Sequence, residues 1–450
     1  MDKGKQYILL SAIVAGLGGF LFGFDTAVIA GTTAALKELY SLDAGLLGFT
    51  VSIALWGTMI GAIGSGIPGD IFGRRLCLKI TGILFFISAL GCALAWDWYS
   101  LIFFRFIGGV GVGAASVLGP MYIAEIAPPK FRGRLVGLFQ FNIVLGILIA
   151  YLSNYIIGLQ NLGILEWRFK LGVEAIPAVI FFGLLFFIPL SPRWLIKNSR
   201  NEEALSVLEA INKDKSRDEF DAIVESINID KEKKNVKLFS KKFTFPVFLA
   251  VSIAMFNQLS GINALLYYLN DIFATAGFDK VSSDVQAVII GATNLIFTII
   301  AMSIIDKIGR KKLLLTGAVG MFICLSAVAA IFITNTYESL LIWFLVGYIA
   351  SFAVSQGAVI WVYLSEVFPN IVRAKGQALG SFIHWLMCAL VSWTFPVMAA
   401  KSGGYPFIFF AFMMVVQFFV VLLVYPETKG VSLEELQKQL LSDENKAPVQ

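Results

Sequence analysis

The chain has 450 residues, of which 58% are hydrophobic and 14% charged, and a mean hydropathy of +0.81. A soluble domain carries about 25% charge, so the bilayer is the main solvent here. The net charge of +5 is modest, with basic residues in short loops between apolar runs, which argues against nucleic-acid binding. One histidine, His384, rules out a multi-histidine metal centre, and Cys77, Cys92, Cys324 and Cys388 all lie in or beside apolar runs, so no disulfide framework is read.

Apolar segments predict twelve membrane spans, at about 8–30, 46–68, 76–95, 100–122, 135–158, 171–190, 245–268, 285–305, 313–333, 339–364, 376–398 and 405–425. Lys3 and Lys5 precede the first run. That run is too long for a signal peptide, contains Asp25 and lacks a clear cleavage site, so it reads as a retained span. Gly261 and Asn263 interrupt the seventh span, and such polar, broken backbone is tolerated at membrane depth only against protein or a cavity. The loops after spans two, four, eight and ten hold the basic residues, among them Arg74, Arg75, Lys79, Lys130, Arg132, Arg134, Lys307, Lys312 and Lys375. The opposite loops carry only Lys37, Arg168, Lys170, Lys280 and Lys401. The positive-inside rule then puts both termini in the cytoplasm.

The domains expected are a first six-helix bundle over 1–190, a charged linker over 191–243, a second bundle over 244–425 and a tail over 426–450. Within the linker, residues 202–211 and 219–227 have helical apolar spacing with charged outer faces, and residues 433–440 of the tail repeat the pattern. Short helices on the cytoplasmic side, or a solvated linker, both fit. The halves also repeat one another. Asp70-x-x-Gly73-Arg74-Arg75 returns as Asp306-x-x-Gly309-Arg310-Lys311. Tyr122-x-x-Glu125-x-x-Pro128-x-x-x-Arg132 returns as Tyr363-x-x-Glu366-x-x-Pro369-x-x-x-Arg373, at an offset of roughly 240 residues. Parallel six-span repeats suit alternating access, with substrate held at the midplane between the halves.

Amide side chains both donate and accept hydrogen bonds, and beside an aromatic platform at membrane depth they suit a small polar ligand with an apolar face. Gln140, Asn257, Gln258, Asn263, Asn294, Trp361, His384 and Trp385 are the candidates, with Gln258 and Asn294 roughly mid-bilayer at 1.5 Å per residue. The alternative is that these amides only bond between helices. Tyr267 and Tyr268 either gate an outer mouth or sit in the interfacial aromatic belt. Asp25 is an ionisable group inside a span, which is costly and suggests a proton relay. Arg105 falls at a similar depth, roughly 8 Å below the outer surface, so the two are expected to pair. An arginine holds a carboxylate ionised, and its loss favours protonation. A static structural pair is the plainer alternative. Glu174 in span six is left without a role.

These loops, with Ser191-Pro192-Arg193-Trp194-Leu195 after span six, Gln258-Leu-Ser-Gly-Ile-Asn263 in span seven and Pro426-Glu427-Thr428-Lys429-Gly430 after span twelve, resemble the sugar porter family of the major facilitator superfamily over nearly the whole chain. The family pattern is departed from at Asn257, where a glutamine is usual, at Leu190, where an acid is usual, and at His384, where Gln or Asn is usual.

The resemblance implies an all-α membrane protein of two pseudo-symmetric six-helix bundles. It assigns the amide and tryptophan positions above to a sugar pocket, and Asp25 resembles the proton-coupled members. Asp70, Arg74, Arg75, Glu125, Arg132, Asp306, Arg310, Lys311, Glu366 and Arg373 resemble the family's cytoplasmic salt-bridge network, which latches the halves. The expected function is import of a monosaccharide, glucose-like at best guess, with a proton, by alternating access. Passive facilitation and a nontransporting sugar sensor are the alternatives, the short tail counting against the second. No nucleophile–base pair or metal cluster appears at membrane depth, so no enzyme activity is expected. The partners expected are a sugar, a proton and membrane lipid, with no cofactor, no nucleic acid and a monomeric state. The location expected is a bacterial inner membrane.

Overall fold

The computed structural model describes residues 3–128, 131–211, 215–232, 237–369 and 371–430, and every element among them is helical. Residues 1–41 and 53–234 form one compact unit, and residues 42–52 and 235–450 form another. The first unit contains α1 (Lys3–Val28), α2 (Thr33–Leu39), most of α3 (Ala44–Gly64), α4 (Gly66–Phe72), α5 (Arg74–Ala93), α6 (Trp98–Ile126), α7 (Arg132–Gly158), α8 (Glu166–Gly172), α9 (Ala175–Leu184), α10 (Pro192–Lys197), α11 (Asn201–Ile211) and α12 (Ser216–Glu232). The second contains α13 (Thr244–Leu259), α14 (Ile262–Tyr267), α15 (Leu269–Thr275), α16 (Lys280–Ile308), α17 (Arg310–Thr334), α18 (Leu341–Val354), α19 (Gln356–Glu366), α20 (Arg373–Lys401) and α21 (Tyr405–Val424).

Among the described residues, eleven helical stretches are long and apolar enough to cross a bilayer. The predicted sixth span is not among them, because it is split into α8 and α9. Pro177 explains the split: it has no N–H to offer the carbonyl of Val173, four residues back, and its ring crowds that turn. Side chains such as Ile63, Phe103, Ile176, Phe187, Phe412 and Leu423 remain exposed, as a hydrocarbon solvent permits. Inside the first unit, Leu21, Phe85, Val112, Leu118, Phe139 and Phe181 join α1, α5, α6, α7 and α9 in one core. In the second, Leu249, Leu314, Ile360 and Val421 join α13, α17, α19 and α21.

Small residues set a close crossing in the first unit. A Cβ at Gly109 or Gly113 of α6 would strike the carbonyls of Ala54 or Thr58 on α3, and one at Gly57 or Gly61 would strike those of Phe106 or Val110. The two backbones therefore touch directly, which replaces the hydrophobic drive that lipid cannot supply. The repeated loop motif also has a backbone cause. Gly73 and Gly309 enter α5 and α17 at φ of 88° and 102°, where a side chain would be strained.

The amphipathic stretches predicted in the linker are helices α11 and α12, and α11 docks Ile211 into the core that holds Ile8 of α1. One loop charge is corrected. Lys170 lies within α8, 1% exposed, paired with Glu166 at 2.7 Å and donating to the Gly31 carbonyl at 3.1 Å. Lys130 and the tail helix predicted over 433–440 lie outside the described residues.

Candidate functional site

The first unit buries a charged pair. Arg105, one turn before Gly108 on α6, places Nη1 2.8 Å from Asp25 Oδ1 on α1, and the two residues are 3% and 4% exposed. A Cβ on Gly108 would press on Ser88 and come near Asp25, so the glycine keeps this space open. Glu174, at the α8–α9 split, is buried with Oε1 unbonded and close enough to feel the charges of both Asp25 and Arg105. It is the residue that sequence reading left without a role. Its signal was present, since an acidic residue beside a span-breaking proline is unusual at that depth. A buried carboxylate with a single arginine partner and a second carboxyl nearby has the parts needed to hold and release a proton. Gln140, also in this unit, is half-buried on α7.

The second unit buries amides. Gly261, at φ 86°, breaks α13 from α14 and lets the helix resume as Asn263 turns back on Gln258. Asn263 Nδ2 donates to Gln258 Oε1 at 2.9 Å, Gln258 Nε2 donates to Asn257 Oδ1 at 2.9 Å, and Asn257 Nδ2 donates to the Gln356 carbonyl at 3.4 Å. Gln258 Nε2 also lies 3.3 Å from His384 Nε2 on α20. The imidazole sits between Trp361 and Trp385, each with its ring centre 5.1 Å away. Trp361 is 39% exposed and offers an open aromatic face. Six predicted positions on four helices thus meet here, Asn257 and Gln258 of α13, Asn263 of α14, Trp361 of α19, and His384 and Trp385 of α20, with the two tryptophans supplying the platform. Asn294 is buried on α16, and no side-chain hydrogen bond among the described residues joins it to these amides.

Tyr267 and Tyr268 are 3% and 1% exposed. Tyr267 lies 3.9 Å from Cys388 Sγ, and Tyr268 donates to the Ser392 carbonyl at 3.0 Å and stacks on Phe395. Buried against α20, they do not form a lipid-facing belt. The sequence reading missed the break between α18 and α19 at Ser355, and with it Gln356 and Gln417, both buried and hydrogen-bonded to each other at 2.6 Å. The signal available was a glutamine inside each of two otherwise apolar spans.

The repeated loops form one ion-pair network in each unit. In the first, Arg74 binds Asp70 at 2.6 Å and Glu125 at 3.1 Å, and Lys197 of α10 binds Asp70 at 2.8 Å. Burial works against the charge of Asp70, but the Lys197 hydrogen bond and Arg74 outweigh it and hold the carboxyl below its ordinary value. Arg75 donates to the Ile188 carbonyl at 2.8 Å. Arg132, expected in this network, is exposed, and its charge acts on Glu219. In the second unit, Arg310 grips Glu366 through Nη2 at 2.8 Å and Nε at 3.2 Å, and Asp306 at 3.0 Å. Thr428 donates to Glu366 at 2.6 Å. Arg373 donates to the Phe368 carbonyl at 3.2 Å. Lys311 joins through its backbone N–H, which Glu427 accepts at 3.1 Å.

The model of the family described as "Sugar (and other) transporter" matches residues 11–440, and the chain belongs to that family. The chain is 37% identical to the arabinose-proton symporter of Bacillus subtilis, over 96% of this chain and 95% of that one. It is also 37% identical to the D-xylose-proton symporter of Escherichia coli K12, over 96% of each. The solved inward-open structure of the xylose transporter from E. coli is similar with a TM-score of 0.86 at 36% identity, over 96% of this chain and all of that one. The fold is therefore an all-α membrane transporter fold.

Proposed function

We propose that this protein is a proton-coupled monosaccharide transporter that carries a pentose or a hexose by alternating access. The observation that carries the proton coupling is the buried Asp25–Arg105 pair at 2.8 Å. Asp25 takes up and releases the proton as that pairing is broken and remade. Asn257, Gln258, Asn263 and His384 hydrogen-bond the sugar hydroxyls, Trp361 and Trp385 cover its apolar face, and Gln140 and Asn294 add polar contacts. Tyr267 and Tyr268 gate access to that site. The two ion-pair networks hold the loop ends and loosen when access changes. Names of relatives that move arabinose and xylose with protons support this reading. The distribution of lysine and arginine between loops supports cytoplasmic termini in a bacterial inner membrane. The protein works as a monomer and performs no covalent chemistry.

The test is sugar-evoked current in proteoliposomes, with D-xylose, L-arabinose, D-glucose and D-galactose. A sustained inward current that grows as the outside pH falls is expected with at least one sugar. Sugar crossing down its gradient with no current would make the protein a facilitator and Asp25–Arg105 a structural pair.

A further inference from the structure

Two helical paths of the second unit are broken at membrane depth, and each break is closed by the other path. At the α13–α14 break, the Ser260 carbonyl accepts the Tyr348 hydroxyl of α18 at 2.9 Å. At the α18–α19 break, Ser355 bonds within its own path, its hydroxyl donating to the Ser351 carbonyl at 2.6 Å. The next residue, Gln356, turns back onto α13. Its backbone carbonyl accepts Asn257 Nδ2, and its Nε2 reaches the Phe256 carbonyl at 3.5 Å. The same Nε2 donates to Gln417 Oε1 of α21 at 2.6 Å. Gln356 and Gln417 are 1% and 2% exposed, and Gln356 Oε1 is buried without a partner.

An apolar pair would fill this space and leave no acceptor unmet, so the two glutamines are a poor device for stability alone. What they supply is orientation. The Gln356 carbonyl holds Asn257 Nδ2 while Asn257 Oδ1 faces Gln258, and Gln258 in turn presents Oε1 to Asn263. We propose that Gln356 and Gln417 form a clasp that ties the α18–α19 break to α21 and positions the sugar-binding amides Asn257 and Gln258. Both are positioning residues and neither contacts the sugar. The inference rests on the reading of the amide chain as the sugar site.

The experiment uses the purified full-length chain as wild type, Gln417→Leu and the double variant Gln356→Leu/Gln417→Leu. Binding of D-xylose, L-arabinose and D-glucose is measured by calorimetry beside the thermal unfolding midpoint. Gln417→Leu leaves the buried Gln356 Nε2 all but stranded, with only the long contacts to the Phe256 carbonyl and Met414 Sδ, so the midpoint falls and sugar affinity drops about tenfold. The double variant removes the stranded donor, so the midpoint returns toward wild type while affinity stays about tenfold down. That split separates positioning from packing, and the double variant carries the test if the single one fails to fold. Affinity that is unchanged in the double variant, or that follows the midpoint in both variants, overturns the clasp. A wild type that binds none of the sugars overturns the transport reading itself, and the clasp with it.

Discussion

The two units bury different chemistry. The first places charge at depth, with Asp25 against Arg105 and Glu174 beside them. The second places a chain of neutral amides, from Asn263 through Gln258 and Asn257 to Gln356. A charge pair responds strongly to the loss of its partner, because an uncompensated buried ion is costly. An amide chain responds by exchanging one hydrogen bond for another, each worth about 1 kcal/mol net. The difference suits a division of labour in which one unit handles the proton and the other handles hydroxyls.

The largest effect is expected from breaking the charged side of that comparison. Asp25→Asn removes the titrating group but keeps a hydrogen-bond acceptor for Arg105, so uphill sugar accumulation in vesicles should be abolished while exchange of labelled sugar persists. Normal accumulation by this variant would remove Asp25 from the coupling. On the amide side the loss should be graded. Gln258→Ala takes away one donor and one acceptor at the centre of the chain, and sugar affinity should weaken roughly 10- to 100-fold, at about 1.4 kcal/mol per tenfold. Unchanged affinity in a binding assay would mean that the sugar site lies elsewhere.

Much of this was legible in the sequence because the causes are local. Membrane spans follow from apolar length, the break at Gly261 from a glycine in a polar run, and the Asp25–Arg105 pair from equal depths on two spans that run in opposite directions. What stayed hidden depends on which helix lies beside which. Nothing along the chain links Gln356 to Gln417, sixty-one residues on, until α19 and α21 are packed together. Lys170 looked like a loop charge because the depth at which α8 starts depends on Pro177 splitting the span. Arg132 matched a repeated motif, yet its side chain stays exposed, so motif symmetry did not carry over to contact.

The loop networks offer a second, finer comparison of the same two units. The carbonyls of Pro189 and Pro426 each accept a tyrosine hydroxyl, from Tyr122 and Tyr363. The residue that follows is Leu190 in one unit and Glu427 in the other. Glu427 accepts the backbone N–H groups of Arg310 and Lys311 at 2.9 and 3.1 Å, which caps the N-terminus of α17 with a carboxylate, whereas among the described residues no side chain accepts from the N–H groups of Arg74 or Arg75 at the start of α5. Glu427→Leu should therefore cost about 1.5–3 kcal/mol, seen as a lower unfolding midpoint. Leu190→Glu should give the first unit the missing cap and raise the midpoint by the smaller worth of a charge at a helix start, about 0.3–1 kcal/mol. Equal and opposite shifts would mean that the caps are interchangeable; no gain at position 190 would mean that the Arg74 network leaves those N–H groups out of reach.

The smallest effect is expected at Lys197, whose pairing with Asp70 has no counterpart among the ion pairs of the second unit's described residues. Both side chains are close to half exposed, so Lys197→Met should cost no more than about 1 kcal/mol at neutral pH. The pH dependence gives this small effect its sign. Asp70 is held below its ordinary value in the folded protein, so its pairing stabilises the fold above the unfolded value of about 3.9 and is lost as pH falls through the folded one. Removing Lys197 lets the Asp70 carboxyl rise toward its ordinary value, with Arg74 still beside it. Unfolding midpoints of wild type and Lys197→Met should then differ slightly at pH 7 and converge below about pH 4. A difference that stays constant down to pH 3 would mean that Lys197 acts through the packing of its stem and not through its charge, and the first network would rest on Arg74 alone.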